Sequence, residues 1–269
     1  MSDQIKRVTA NRLLAMREAG TKITMMTAYD YPSAALLDRA GIDLLLVGDS
    51  LGTVIQGRET TLSVTLDAMI YHTEMVARAA SRSMVIADLP FPFAQMGPDE
   101  ALKASARIIK ETGASGVKIE GGLNRVPVIE RLIEAGIPVM GHCGLMPQEI
   151  RRLGGYKVQR DAEALRRDVA AVAAAGAFAV VLECVPRPIA AEVTKLSPVP
   201  TIGIGAGPRC DGQVLVFHDL LGFALPDAKT PKHARRYAKL GQTILDAAAR
   251  YADDVRSGVF PTENESFGS

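Results

Sequence analysis

The chain has 269 residues, and its 31 Lys and Arg nearly balance its 30 Asp and Glu, which gives a formal net charge of +1. This balance lacks the basic footprint that binding to a nucleic-acid backbone requires, and no apolar run reaches the ~20 residues of a membrane span. We therefore expect neither a nucleic-acid nor a membrane partner. The three cysteines are odd in number and far apart, which favours a reducing, cytoplasmic setting over a disulfide framework.

The first predicted element is a helix over residues 5–19, with Thr9 as its N-cap. It precedes the first strand and lies outside the alternation that follows, so we expect it to cover the bottom of the fold. The alternative is a frayed terminus.

Short apolar runs that alternate with helical stretches dominate the rest of the chain. Buried parallel strands appear as such continuous runs, and eight of them is the number in a (β/α)8 TIM barrel, which typically takes about 250 residues. We predict one barrel domain over 1–269, with an extra N-terminal helix. An open doubly wound sheet is the competing fold, but no GxGxxG motif follows the first strand. The runs lie near 23–28, 44–48, 84–87, 116–119, 138–140, 178–182, 200–204 and 214–217.

Several helices have their own start and stop signals. Helical spacing begins at Leu66, and the helix over 98–111 opens at Pro98 and closes at Gly113. Another helix is predicted from Asp161 to Ala175. A long closing helix carries an apolar stripe at Tyr237, Leu240, Ile244, Ala248, Tyr251 and Val255. The polar residues 262–269 are predicted to be disordered.

Acidic residues stand where three successive strands end. Asp49 follows LLLVG, Asp88 follows MVIA, and Glu120 follows GVKI. In such barrels the chemistry lies at the C-terminal ends of the strands. Hard carboxylate oxygens suit Mg²⁺, so Asp49, Asp88 and Glu120 are candidate metal ligands. The alternative is that each acid caps a helix or pairs with a base.

Lys118 lies two residues before Glu120, so both side chains point to the same face of an extended strand. A lysine inside an apolar strand is costly to bury unless it meets an anion. We expect it to hold a substrate carboxylate or enolate. Formation of a Schiff base and a structural ion pair with Glu120 are the alternatives.

Three further polar residues follow strands. Glu183 ends AVVLE, and a carboxylate with few polar neighbours has a raised pKa and can act as a general base. His142 can donate a hydrogen bond to a ligand or satisfy a backbone group. Ser50 offers a hydroxyl and a backbone N–H to an anionic substrate, or is an ordinary loop residue.

These residues belong to longer motifs, and through them the chain resembles the 3-methyl-2-oxobutanoate hydroxymethyltransferase (ketopantoate hydroxymethyltransferase) family. The motifs are TAYDYPSA, VGDSLG, ADLPF, VKIEGG, GHCGLMPQ, GGYKVQ, LECVP and IGIGAGPRCDGQVLVFHDLLG. They occur in the order and with the spacing of the family, which makes the resemblance far more specific than a shared barrel.

The resemblance implies a role for each candidate. Asp49 and Asp88 would bind Mg²⁺ and the 2-oxo acid, with Glu120 completing the metal shell. Ser50 and Lys118 would hold the substrate, and Glu183 would be the catalytic base. The implied co-substrate is 5,10-methylenetetrahydrofolate, and the implied assembly is a homo-oligomer, commonly a homodecamer.

Two positions depart from the usual pattern of the family. Met146 stands where threonine is usual and removes an expected N-cap, and Arg160 stands where glycine is common. The rival interpretations are a Mg²⁺-dependent carbon–carbon lyase of 2-oxo acids, a phosphoenolpyruvate mutase-like enzyme, and an inactive relative kept as a binding partner.

Overall fold

The computed structural model describes residues 6–155 and 157–268, and the side chain of Leu153 is outside this description. The chain divides into two compact units, Met1–Val216 and Phe217–Ser269. Each unit is considered by itself, and the single-domain assignment stays a prediction. No helix in the described ranges is long and apolar enough to cross a membrane.

The first unit is a closed barrel of eight parallel strands, each paired with the next in chain order, and the last pairs with the first. The predicted (β/α)8 fold is therefore confirmed. The strands are buried along nearly their whole length because helices cover their outer faces. They are β1 (Ile23–Thr27), β2 (Leu44–Val47), β3 (Met84–Asp88), β4 (Gly116–Glu120), β5 (Val139–Gly144), β6 (Ala179–Glu183), β7 (Thr201–Ile204) and β8 (Gly212–Leu215).

The helices of this unit follow the predicted signals closely. Thr65 and Asp161 cap two of them through side-chain oxygens, and Gly113 ends another in the left-handed conformation. The helices are α1 (Ala10–Glu18), α2 (Tyr31–Arg39), α3 (Leu51–Val54), α4 (Leu66–Ala79), α5 (Pro98–Thr112), α6 (Val126–Glu134), α7 (Ile150–Leu153), α8 (Ala162–Ala174) and α9 (Arg187–Leu196), with 3-10 turns at Thr61–Ser63, Leu123–Arg125 and Pro147–Glu149.

Two strands differ from the prediction by more than one residue at a boundary, and the other six agree within one residue. Strand β5 extends through His142 to Gly144, so this histidine lies within the strand and not after it. Strand β8 begins at Gly212, two residues earlier than predicted. A Cβ at Gly212 would lie 2.6 Å from the carbonyl oxygen of Ile23 on β1, so the close approach of the two strands requires glycine there. A glycine carries no apolar signal, which is why the start of β8 was missed.

Helix α1 packs at the bottom of the barrel, the end formed by the N-terminal ends of the strands. Thr9 is its N-cap, as predicted, and Leu13 and Met16 join the apolar core inside the strands. Arg17 pairs with Asp211 at 3.4 Å, just before β8 begins. The interpretation as a cover is confirmed over residues 10–18; residues 5 and earlier lie outside the described part of the chain.

The second unit contains α10 (Phe217–Leu221), α11 (Leu240–Ser257) and a 3-10 turn at Glu263–Glu265. The predicted closing helix is confirmed, and Gly258 ends it in the left-handed conformation. Within α11 only Gly241 is buried in the described structure. Thr262 and Glu265 form a capping box around the last turn, while the predicted disorder of the tail stays a prediction.

Candidate active site

The mouth of the barrel, formed by the C-terminal ends of the strands, gathers the predicted polar residues. Strand pairing sets Asp88 beside Lys118, and Glu120 beside His142. Asp49 follows β2, and its backbone N–H donates to Asp88 Oδ2 at 3.0 Å. Five of these side chains are almost completely buried, namely Asp49, Asp88, Lys118, Glu120 and His142. Sequence reasoning therefore found residues that the fold does bring together.

Lys118 occupies the centre of the group. Its Nζ lies 2.9 Å from Asp88 Oδ1, 3.9 Å from Glu120 Oε1 and 3.0 Å from His142 Nδ1. Burial acts to lower the pKa of Lys118, but the charges of Asp88, Glu120 and Asp49 outweigh it and raise that pKa above its usual value. A permanently charged ammonium cannot attack a carbonyl, so this environment favours charge stabilisation over a Schiff base.

The tautomer of His142 follows from its two neighbours. Burial, with a smaller contribution from the charge of Lys118, holds the pKa of His142 well below its usual range, so the ring is neutral. Nε2 lies 2.8 Å from the carbonyl oxygen of Leu145, which can only accept, so Nε2 carries the proton. Nδ1 is then the acceptor for the Lys118 ammonium. His142 thus orients Lys118, and Nε2 also lies 3.4 Å from Glu183 Oε2.

The acid cluster, consisting of Asp49, Asp88 and Glu120, holds more negative charge than Lys118 alone can balance. Burial and the nearby charge of Asp88 raise the pKa of Asp49 to about 7. Burial and then the charge of Asp49 raise the pKa of Glu120 well above its usual value. An added cation would therefore be favourable at this point.

Glu183, at the end of β6, lies beside the same group of side chains, with Oε2 3.4 Å from His142 Nε2. Burial raises the pKa of this carboxyl to about 7, although Lys118 acts to lower it. The side chain keeps 16% of its surface exposed, so substrate can reach it. The chain turns sharply just after it, because Cys184 has φ +52°. On the neighbouring strand, a Cβ at Gly144 would lie 2.3 Å from the carbonyl oxygen of Glu183, so only glycine fits there.

Ser50 lies at the edge of the acid cluster, and the Tyr29 hydroxyl lies 2.8 Å from its Oγ. Burial raises the pKa of Tyr29 above its usual value, so this hydroxyl stays protonated and available as a donor. A Cβ at Gly48 would lie 2.7 Å from Ser50 Oγ and 3.5 Å from Asp88 Oδ2. The absence of a side chain at Gly48 therefore lets the serine and the aspartate approach each other.

Gln148 is the site residue that sequence reasoning missed. It lies in the turn Pro147–Glu149, and only 5% of it is exposed. Its Nε2 donates to Asp49 Oδ2 at 3.0 Å, and its backbone N–H donates to Glu120 Oε2 at 3.0 Å. Its place in the motif GHCGLMPQ was the available signal. Met146, which precedes this turn as its N-cap, makes no side-chain capping bond, as expected.

The residues present fit a divalent cation with oxygen ligands. Asp88 Oδ1 is buried and has the ion pair with Lys118 but no hydrogen bond of acceptable geometry. In the described ranges, no group of three His, Cys, Asp or Glu side chains forms a complete metal site. Mg²⁺ does not require one, because it usually takes one or two carboxylates and completes its shell with water and substrate oxygens.

Comparison with known proteins decides the family. The profile described as "Ketopantoate hydroxymethyltransferase" matches residues 7–263. The chain belongs to the ketopantoate hydroxymethyltransferase family. It is 53% identical to the 3-methyl-2-oxobutanoate hydroxymethyltransferase of Pelobacter propionicus, over 99% of this chain and 100% of the relative. It is 52% identical to that of Moorella thermoacetica, over 98% and 99% of the two chains.

As a member of the ketopantoate hydroxymethyltransferase family, the protein is a transferase enzyme. Among solved structures it is similar in fold to a phosphonopyruvate hydrolase complexed with oxalate and Mg²⁺, with a TM-score of 0.61, 14% identity and coverage of 97% and 92% of the two chains. A phosphoenolpyruvate phosphomutase from Streptomyces platensis gives a TM-score of 0.62 and 18% identity, with 93% and 88% covered. At these identities the likeness shows the barrel fold alone.

Proposed function

We propose that the protein transfers a hydroxymethyl group from 5,10-methylenetetrahydrofolate to 3-methyl-2-oxobutanoate, giving 2-dehydropantoate (ketopantoate) for pantothenate biosynthesis. The observation that carries this proposal is the 53% identity to a relative of that name over 99% of the chain. The geometry supports it. The carboxyl of Glu183, with a pKa of about 7, lies near the buried Lys118 and near the acid cluster, where an added cation would be favourable.

Asp49, Asp88 and Glu120 would hold Mg²⁺ at the mouth of the barrel. When bound, the cation would draw electron density from the two oxygens of a 2-oxo acid and make the neighbouring C–H more acidic. Side chains of the protein would carry out all the other steps. Gln148 donates to Asp49 Oδ2 and to Glu120 Oε2, and the backbone N–H of Asp49 donates to Asp88 Oδ2. The other oxygen of each carboxylate is the one that would face the cation, and that of Asp88 also has the ion pair with Lys118.

Glu183 would remove the proton from C3 of the substrate, since its pKa of about 7 lets it accept a proton near neutral pH. The Lys118 ammonium would hold the negative charge that develops on the substrate. His142 would keep that ammonium oriented, and Ser50 would donate to the carboxylate of the substrate. The enolate carbon would then bond to the methylene carbon of the folate, and both C–N bonds to that carbon would break. Water would supply the new hydroxyl group, and the C3 proton and the second proton of water would go to the two folate nitrogens, so that tetrahydrofolate leaves.

The direct test follows product formation by proton NMR. Purified protein, Mg²⁺ and 3-methyl-2-oxobutanoate are mixed with and without 5,10-methylenetetrahydrofolate. We expect the hydroxymethyl signal of ketopantoate only in the sample with folate. Exchange of the C3 proton with solvent deuterium without product would keep the enolate chemistry and reject the donor.

The rival lyase activity has its own outcome in the same experiment. If neither product nor exchange appears, the protein is offered a branched 2-hydroxy diacid with Mg²⁺. Cleavage of a carbon–carbon bond in that sample would replace the transferase proposal with a lyase. Inactivity in every sample would favour the inactive relative.

The proposal also covers the location, the oligomeric state and the partners of the enzyme. We propose a cytoplasmic homo-oligomer, a homodecamer by family resemblance, with small-molecule substrates and no nucleic-acid or membrane partner. The near-neutral charge speaks against a nucleic-acid partner, and the three cysteines favour a reducing compartment. Light scattering coupled to size-exclusion chromatography tests it, and a mass close to that of one 28.7 kDa chain would contradict it.

A further inference from the structure

We propose that Gln148 is a positioning residue that sets the orientation of the metal-binding carboxylates, an inference that rests on the proposed function. Gln148 contacts carboxylates from two different strand ends. Its side-chain amide binds Asp49, which follows β2, while its backbone N–H binds Glu120 at the end of β4. One residue of the β5 loop therefore connects two carboxylates that belong to separate strands.

The orientation of the Gln148 amide is fixed by its surroundings. Nε2 lies 3.0 Å from Asp49 Oδ2 and 3.1 Å from the carbonyl oxygen of Leu89, and both of these can only accept. Oε1 lies 3.3 Å from Gln95 Nε2, a donor. Reversing the amide would place two acceptors against each other at the contact with Leu89 and at the contact with the ionised carboxylate of Asp49. The two N–H groups must therefore point at Asp49 and Leu89.

This arrangement divides the oxygens of each carboxylate into two classes. Oδ2 of Asp49 and Oε2 of Glu120 accept from Gln148, whereas Oδ1 of Asp49 and Oε1 of Glu120 do not. A carboxylate held by one oxygen presents the other in a defined direction, as outer-shell hydrogen bonds do for metal ligands. Without the amide, the Asp49 carboxylate would lose a donor that holds Oδ2 and would be free to rotate.

Burial makes the amide costly to replace. Gln148 is 5% exposed and Asp49 is 4% exposed, so water cannot readily take over the lost hydrogen bond. The ordinary alternative is that Gln148 merely anchors the Pro147–Glu149 turn. A merely structural anchor would affect folding, whereas a positioning residue affects the metal affinity of the folded protein.

The test measures Mg²⁺ binding by titration calorimetry for the full chain and for Gln148→Met, which keeps the length of the side chain but has no donor. We expect the dissociation constant for Mg²⁺ to rise roughly 10- to 100-fold, the usual cost of an outer-shell change. Gln148→Asn, whose amide is one methylene short, should show the same direction. Gln213→Met is the matched control, since Gln213 is exposed and donates to the carbonyl oxygen of Gly207.

A second readout separates positioning from stability. Exchange of the C3 proton of 3-methyl-2-oxobutanoate with solvent deuterium is followed while Mg²⁺ is raised, well below the melting temperature of each variant. We expect Gln148→Met to need more Mg²⁺ but to regain most of the exchange rate at saturation. An unchanged dissociation constant in both folded Gln148 variants would overturn the inference. If the unaltered protein itself binds no Mg²⁺, the proposed metal site fails instead.

Discussion

At the bottom of the barrel, the carboxylate of Asp38 accepts four hydrogen bonds, two from Ser81 and one each from the backbone N–H groups of Arg82 and Ser83. Burial acts to raise the pKa of Asp38, but these bonds hold it well below its usual range. At the mouth, burial and the charge of Asp88 raise the pKa of Asp49 to about 7, because few donors reach it.

Both ends of the barrel thus contain buried acids, and the supply of donors separates them. An acid whose oxygens are all hydrogen-bonded stabilises the fold and has nothing to offer a ligand. An acid that lacks donors costs stability and keeps its affinity for a cation or a proton. Donor supply, and not burial alone, therefore separates the structural carboxylate of Asp38 from the candidate site carboxylate of Asp49.

The largest effect is expected for Glu183→Gln at the mouth. Glutamine keeps the shape but cannot accept the C3 proton, so turnover should fall by a factor of ~100 or more. Binding of Mg²⁺ should stay nearly normal. Steady-state kinetics and calorimetry measure the two quantities, and unchanged turnover would refute the assignment of the base.

A smaller effect, on metal binding, is expected for Asp88→Ala, which removes a whole carboxylate from the acid cluster. The affinity for Mg²⁺ should fall at least roughly 10-fold, the lower end of what the loss of an outer-shell partner costs. Calorimetry checks this with Asp67→Ala as the control, because Asp67 is an exposed acid paired with Arg107 on the helical surface. Equal affinities of Asp88→Ala and the control would remove Asp88 from the metal site.

At the bottom of the barrel, Asp38→Ala should change stability and leave the chemistry alone. The donors of Ser81, Arg82 and Ser83 would lose their partner, and an unsatisfied buried donor costs about 1–3 kcal/mol of unfolding free energy. Denaturant unfolding measures the loss. Turnover per folded molecule should not change, and a large drop in it would break the distinction between the two ends.

The last prediction concerns the change of the melting temperature with pH. The pKa of Asp49 and that of Glu183 are raised to about 7 in the folded protein, above their ordinary values of 3.8 and 4.5. A raised pKa contributes stability at low pH that is lost as pH rises from about 4 to about 7. Without metal, the melting temperature should therefore fall by at least several degrees over this window.

Saturating Mg²⁺ should reduce that fall, because the cation replaces the proton. Asp38, with its lowered pKa, acts in the opposite direction, since its stabilisation is lost only in acid. Calorimetric scans at several pH values, with a chelator or with Mg²⁺, check the prediction. If Asp49→Asn leaves the metal-free pH dependence unaltered, Asp49 is not the group responsible.

The sequence predicted most of the barrel because buried parallel strands are strongly apolar and end in polar residues. Asp88, Lys118 and Glu120 could be placed at strand ends for that reason. The contacts of His142 could not be foreseen, because they depend on the carbonyl oxygen of Leu145. Gln148 escaped notice because its amide does not titrate and it follows no apolar run directly.

Cys184, just after Glu183, limits which sequences this site tolerates. Its φ of +52° disfavours β-branched residues, and its thiol is half-buried. A cysteine-free version for site-specific labelling should therefore carry Asn, Gly or Ser at this position and avoid Val or Thr. Of these, Asn best keeps the backbone after Glu183 restrained, since glycine would increase the backbone freedom at the end of β6.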